Sequence, residues 1–287
     1  MDIRFLKSLV AVVETGSIAS AGRQQNLTAT AISQRIRSLE KEFDASLLSR
    51  SAHSATPTEA CLNLLPRIEN IIKESDALKA DIDTTGLSAN LQLGSIDTAL
   101  TDFIPTVVKA LKTLAPNSTI SIIPGSSSDL YEKLLSQNLD GAITVAPTFT
   151  LPKEIKVTSL VKQDHVLLSK KPQSLPLKTI LEQQPLIVYD RNSWGGSSIQ
   201  RWITSLNIHS KILCELDSPE TIALLVEKSL GVAVVPQWQG LRHRHSLLSI
   251  TPIGQDIPLR EIVFLSHQKS NAPKLLELAI KSIQDVS

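Results

Sequence analysis

The sequence predicts an α/β chain that opens with an all-α segment and continues as two α/β lobes, and three observations predict it. Upstream of residues 84–88 (TTGLS) apolar residues recur almost throughout at helical spacing. Downstream, short β-rich runs alternate with amphipathic helices: LQLGSI, FIPTVVKALKTL, TISIIPG, DLYEKLLSQ and GAITVAP in a first block, then PLIVYD, SSIQRWITSL, KILCEL, PETIALLVEKSLG and VAVVP in a second. Between the blocks the alternation pauses over residues 148–163, TFTLPKEIKVTSLVKQ, which separates one lobe from the other. Strand–helix–strand order predicts βαβ units and mainly parallel sheets.

The first helix comes from MDIRFLKSLVAVVETG. Leu6, Leu9, Val10 and Val13 form its apolar face, with Asp2 before it and Glu14 after it, a pattern of an amphipathic helix and not of an export signal. Ser17 stands where an N-cap is expected and opens IASAGRQQ; Thr28 can cap the helix after that. Only Gln25, Asn26 and Leu27 separate the two, the layout of a helix-turn-helix. From Thr28 onward, Ile32, Ile36, Leu39 and Phe43 recur at i, i+4, i+7 and i+11 and make a buried stripe. The opposite face shows Thr30, Ser33, Gln34, Arg37 and Lys41. Short hydroxyls let a helix approach another surface closely, Gln34 can pair with an adenine edge, and an arginine can pair with guanine or grip phosphate. Between Arg23 and Ser38 there are three basic residues and no acidic one, a local bias that the whole-chain net charge of +1 conceals. Arg50 and His53 follow in LLSRSAHSATPT, a Ser/Thr/Pro-rich loop of the sort that forms a wing resting on phosphates. The combination points to an all-α winged helix-turn-helix that meets double-stranded DNA. Thr28, Thr30, Ser33, Gln34 and Arg37 are the expected groove contacts; Arg35, Arg50 and His53 are the expected phosphate contacts.

Past the wing, Pro57 ends the loop and Thr58 can cap a long helix, with Glu59 in its first turn. Leu64, Ile68, Ile71, Ser75, Leu78 and Ile82 fall at alternating spacings of four and three, a coiled-coil-like seam expected to pair with a second copy. Pro66 is expected to bend or loosen the early turns.

These residues resemble the N-terminal domain of LysR-type transcriptional regulators: Gly16-Ser17-Ile18, Ala21, Ala31 to Ile36, Leu39-Glu40, Leu47 to Arg50, and Thr56 to Ala60. Ser229 to Pro236 (SLGVAVVP) is similar to the family's late helix–glycine–strand signature. The resemblance implies residues 1–58 as the DNA-binding domain, 59–86 as a linker and dimerisation helix, and 87–287 as an effector-binding domain. That domain would be periplasmic-binding-protein-like, with lobe I about 87–160 and 266–287 and lobe II about 161–265. It also implies a homodimer or homotetramer and a small-molecule effector between the lobes. Departures from the family pattern are Gly22, Gln25, Ala29, Thr30, Leu48 and Cys61; Gln25, in an apolar position, is expected to weaken packing of the first helix pair. Positions matching the family's effector site are Thr98, Ser126, Ser193, Trp194, Gly195, Gly196 and Ser218. Glycines and serines at helix starts expose N–H groups, so the cleft could hold a small carboxylate or other anion, with Trp194 as a flat wall. Each serine alone reads as an N-cap.

The rest of the sequence bounds the alternatives. Of 287 residues 42% are hydrophobic and 20% charged, which excludes a disordered chain, and no apolar run is long enough for a bilayer. A cytoplasmic location is expected. Cys61 and Cys214 lie far apart with neither CxxC nor zinc spacing, so two reduced thiols are expected. Among His53, His165, His209, His243, His245 and His267 there is no HExxH, and GLRHRHS reads as a basic surface loop. GxSxG, GxGxxG and GxxxxGK[ST] are absent, so no catalytic residue, metal or cofactor is expected. The alternatives are a two-lobed small-molecule-binding protein without a DNA role, against which the helix-turn-helix counts, and an enzyme on an α/β scaffold, against which the missing motifs count.

Overall fold

Asp2 starts the first helix of a computed structural model that describes residues 1–50, 54–81, 85–254 and 257–285. Its carboxylate accepts from Arg4 N at 2.8 Å, capping α1 (Ile3–Thr15), which ends at Gly16 in the left-handed region. Ser17 caps α2 (Ile18–Gln24) and Thr28 caps α3 (Ala29–Phe43), accepting from Ala31 N at 3.1 Å. A hairpin of β1 (Leu48–Arg50) and β2 (Ala55–Pro57) follows. It is tied to α3 through Glu40, whose Oε1 accepts from Leu47 N and Leu48 N, and to the α1 terminus through Ala55 N and Gly16 O. Thr58 accepts from Cys61 N and caps α4 (Glu59–Asp81), which runs through Pro66 as one helix. Leu6, Leu9, Val12, Ile32, Ile36, Leu39 and Leu47 are the centre of this unit's core, with Phe43 at its margin.

Two local expectations change, and the departure at Gly22 finds its reason. Gly22 is required by proximity, since a Cβ there would stand 2.8 Å from Leu27 O in the turn. Gln25 does not weaken the helix pair: its Nε2 donates to Lys7 O at 3.0 Å and its Oε1 accepts from Ser8 Oγ at 2.8 Å. It therefore stitches α2 to α1 with satisfied polar contacts, and Gln25→Ala is expected to cost about 1–2 kcal/mol. Chemical denaturation followed by far-ultraviolet circular dichroism checks this; an unchanged midpoint would remove the bridge from the stability of the unit. The long-helix seam is also divided. Cys61, Leu64, Ile68 and Ile72 lie on this unit's own core, while Ile71 and Leu78 remain 39% and 65% exposed. α4 packs on α1, and its residues from Cys61 to Ile72 reach the shared core. Ile82 lies outside the described residues.

The second compact unit begins at Thr85, the first being Met1–Thr84. Its first lobe contains β3 (Asn90–Ser95), α5 (Asp97–Asp102), α6 (Ile104–Leu114), β4 (Thr119–Pro124), α7 (Ser127–Leu135), β5 (Gly141–Val145) and β6 (Ile155–Gln163). The second contains β7 (His165–Ser169), α8 (Leu177–Gln183), β8 (Leu186–Tyr189), α9 (Gly196–Ser205), β9 (Ile212–Leu216), α10 (Pro219–Glu227), β10 (Ala233–Pro236), α11 (Leu241–Arg244) and β11 (Ser249–Pro252). The chain then returns to the first lobe as β12 (Arg260–His267) and α12 (Pro273–Gln284).

The sheets are mixed instead of mainly parallel. In the order β4-β3-β5-β12-β6, β3 is parallel to β4 and β5, whereas β12 is antiparallel to both β5 and β6. In the other lobe β8 and β9 are parallel and β7 lies antiparallel between β10 and β11. β6 and β12 arise from the crossing segments and not from βαβ units, which is why the alternation missed them. They also move the lobe boundaries: lobe I extends through Gln163 and resumes at Arg260, not at 266, because residues 260–267 form one strand of its sheet. Among the described residues no single helix is long and apolar enough to cross a membrane. Cys61 is buried and Cys214 half-buried in β9, both as free thiols; burial pushes the Cys61 thiol up.

Candidate functional site

The exposed face of α3 is built by its amphipathic period. With Ile32, Ile36 and Leu39 inside, Ala29, Thr30, Ser33, Gln34, Arg37, Ser38 and Lys41 are gathered along one shallow surface groove. Thr28 is exposed at its start, its hydroxyl holding Ala31 N. Arg35 points elsewhere: its Nη1 donates to Ser8 Oγ at 3.0 Å and its guanidinium lies 5.9 Å from the Phe5 ring centre. Arg35 is thus engaged within its own unit through Nη1. The backbone of Arg50 pairs with Ala55 in the hairpin; His53 lies outside the described residues.

A second site lies between the two lobes, at the C-terminal ends of β3 and β4 on one side and β8 and β9 on the other, where ligands of open α/β sheets bind. The cavity encloses about 220 Å³. Of the seven expected effector residues, Thr98, Ser126, Ser193, Trp194 and Gly195 line it. Gly196 and Ser218 do not. Gly196 begins α9 against the preceding turn, where a Cβ would stand 2.1 Å from Asp190 O. Ser218 caps α10, accepting from Thr221 N, and donates across the lobes to Asp97 Oδ2. Ser126 and Ser193 line the cavity and also serve as local caps, bonding Asp129 N and Gly196 N. Trp194 meets Tyr131 and Phe149 of the other lobe, with ring centres 5.3–5.7 Å apart, a set of tilted and edge contacts at the cleft.

Among the lining residues that went unread in the sequence are Arg260, Tyr189, Asp217 and Asp97. Arg260 is 4% exposed and stands opposite Gln163 where the chain crosses between lobes. Its Nη1 donates to Gln163 Oε1 at 3.1 Å and Thr98 Oγ1 at 3.3 Å, and its Nη2 to the Tyr189 hydroxyl at 3.4 Å. Its buried Nε has no partner among the described residues. All its acceptors are neutral, an exceptional state for a buried guanidinium, since buried charges are ordinarily paired. Asp217 carries a carboxyl pushed up, chiefly by enclosure and then by the neighbouring negative Asp190. A rule that polar residues at the C-terminal ends of parallel strands face the ligand would have flagged Tyr189 and Asp217.

Away from the cavity the lobes are joined by polar contacts. Asp102 accepts from Gln239 N and Gly240 N at 2.9 and 3.0 Å, and Arg244 reaches Thr101 and Glu220. His245 is buried between Glu220 (3.0 Å) and Glu227 (2.9 Å), so GLRHRHS is only partly a surface loop. Burial raises the Glu220 carboxyl, but the hydrogen bonds from His245 and Arg244 outweigh it and hold the group below its ordinary range.

His165, at the head of β7, is 3% exposed, and neither ring nitrogen has a partner among the described residues. Burial, with the Arg260 charge adding, pushes its pKa down to about 4. The unfolded chain binds this proton near the ordinary value of 6.5 and the folded chain does not. Stability is therefore complete above 6.5 and falls as pH drops from 6.5 through 4, by on the order of 3 kcal/mol. All three tryptophans (Trp194, Trp202, Trp238) lie in the second lobe, so their fluorescence during urea unfolding reads the effect. His165→Phe is expected to flatten the acid limb, and an equally steep limb in that variant would assign it to other groups.

A family model described as "LysR substrate binding domain" matches residues 84–287, and one described as "Bacterial regulatory helix-turn-helix protein, lysR family" matches residues 3–62. The chain is similar to the HTH-type transcriptional regulator CzcR of Bacillus anthracis, 27% identical over 242 residues that span 83% of this chain and 81% of that one. It is similar to the HTH-type transcriptional regulator SoxR of an Arthrobacter species, 27% identical over 239 residues, 83% of this chain and 80% of that one. Among solved structures, full-length CbnR complexed with its target DNA has the same fold, with a TM-score of 0.71 at 17% identity, covering all of both chains.

Proposed function

The chain belongs to the LysR family of DNA-binding transcriptional regulators, with a helix-turn-helix and an effector-binding domain, and on that premise we propose that a small anion bound between the two lobes controls its action on DNA. The observation that carries the effector reading is Arg260: a buried guanidinium at a cavity wall, with neutral acceptors only and an unpartnered Nε. An anion seated there supplies the missing charge. Thr98, Ser126, Ser193, Trp194 and Gly195 complete the pocket, whose volume below the roughly 300–1,000 Å³ of drug-sized sites favours a small metabolite.

On the DNA side, Thr28, Thr30, Ser33, Gln34 and Arg37 are the groove contacts in this reading and Arg50 and His53 the phosphate contacts. Arg35 joins the phosphate contacts in this reading and also holds α3 to α1. Residues 1–58 read DNA, 59–86 link and pair, and 87–287 sense. The exposed Ile71 and Leu78 of α4 support pairing with a second copy of the helix, and a two-fold dimer suits a palindromic site. Location in the cytoplasm, where DNA and metabolites meet, follows from the same reading.

The test is selection of genomic fragments by the purified chain, with and without small carboxylates. Enrichment of imperfect palindromes whose occupancy or footprint changes with one carboxylate is the expected result. Binding spread evenly over all fragments, or a footprint indifferent to every carboxylate, overturns the corresponding half of the proposal.

A further inference from the structure

The anionic reading leaves one feature of the cavity unexplained. Its charged lining is Asp97 and Asp217 against Arg260, a formal net charge of −1. A ligand carrying only negative charge would meet a favourable guanidinium and an unfavourable carboxylate pair in the same small space.

The two carboxylates are not equivalent. Asp97 is engaged by Ser218 Oγ across the lobes. Asp217 is accessible to solvent, and no ion pair joins it to Arg260 or to any other described cation. The Tyr189 hydroxyl accepts from Arg260 Nη2, and Asp217 lies within electrostatic reach of both Tyr189 and Arg260. Asp190 adds like charge near Asp217, which the Arg260 charge offsets only in part, and Asp217 has no ion pair of its own. The same small cavity therefore offers a guanidinium to an anion and an unpaired carboxylate to a cation.

We propose that the effector is a zwitterion, an α-amino acid or close analogue, with its carboxylate on Arg260, its ammonium group on Asp217 and its side chain against Trp194. This rests on the anionic reading and specifies it. An α-amino acid carries both charges on one carbon, which suits opposite charges that line one small cavity. A short ligand with a modest side chain suits a cavity of about 220 Å³. Both charges would be desolvated on binding, so loss of either should be felt strongly.

The experiment is a tryptophan-fluorescence titration of the full-length chain, Trp194 being the local reporter. The ligands are the proteinogenic L-amino acids, each beside its des-amino carboxylic acid and its methyl ester. The expected result is saturable binding of at least one amino acid, about tenfold or more tighter than both of its blocked forms. Asp217→Asn should weaken that amino acid about tenfold while leaving the des-amino acid nearly unchanged. If the des-amino acid binds as well as the amino acid, the ammonium contact is overturned and the anionic reading stands. If the methyl ester binds as well, the anionic reading itself falls. Absence of binding by every amino acid at millimolar concentration overturns the inference, and an Asp217→Asn chain with altered melting would leave the ligand series to decide.

Discussion

Arg260→Gln is expected to leave the unliganded chain at least as stable as the parent while weakening effector binding by roughly 30-fold to several thousand-fold, on the order of 2–5 kcal/mol. The two effects have one cause. In the free protein the guanidinium is desolvated and answered only by the oxygens of Thr98, Gln163 and Tyr189, with Nε unsatisfied, an arrangement that opposes folding. Glutamine keeps one donor for this set and removes the unpaired charge. Thermal unfolding without ligand and a titration with ligand separate the possibilities. A lower melting temperature with unchanged affinity would make Arg260 a structural residue of the lobe crossing. A charge-retaining Arg260→Lys variant should recover part of the affinity but not the forked geometry of arginine.

The reason Arg260 was not legible in the sequence is topological. Within DIPLREIVFLSH it stands beside Glu261 at the head of an apolar run, where an exposed strand end is the ordinary reading. Its meaning depends on β12 returning to the first lobe opposite β6, so that Arg260 faces Gln163 at the crossing and Tyr189 of the second lobe across the cavity. No local period encodes that pairing. The same holds for Gln25, whose partners Lys7 and Ser8 are on another helix, and for His245, whose two glutamates come from α10. What local chemistry does encode was readable: the caps Asp2, Ser17, Thr28 and Thr58, the stripe Ile32, Ile36 and Leu39, and the serines that open α7 and α10. The α4 stripe falls between. Its spacing is real, but spacing alone does not say which turns cover their own unit and which remain for a partner.

Replacing Gln34 and Arg37 together by alanine is expected to reduce specific binding by about 2–6 kcal/mol, each bidentate base contact contributing about 1–3. The unit itself should be unaffected to within about 0.5 kcal/mol, because both side chains are exposed and Gln34 bonds α3 only through its backbone. Non-specific affinity should change far less, since only one positive charge is removed. Fluorescence anisotropy on a selected site and on a scrambled duplex, across a salt series, distinguishes the roles. Base reading by these residues collapses the ratio between the two duplexes and alters the salt slope by no more than about one. Equal losses on both duplexes would make Arg37 a phosphate contact, and the hydroxyls of Thr28, Thr30 and Ser33 would then be left to supply the groove discrimination. Because those hydroxyls are short and two of them start the helix, reading through them requires α3 to enter the groove by its N-terminal turns, a geometry that Thr30→Ala would test next.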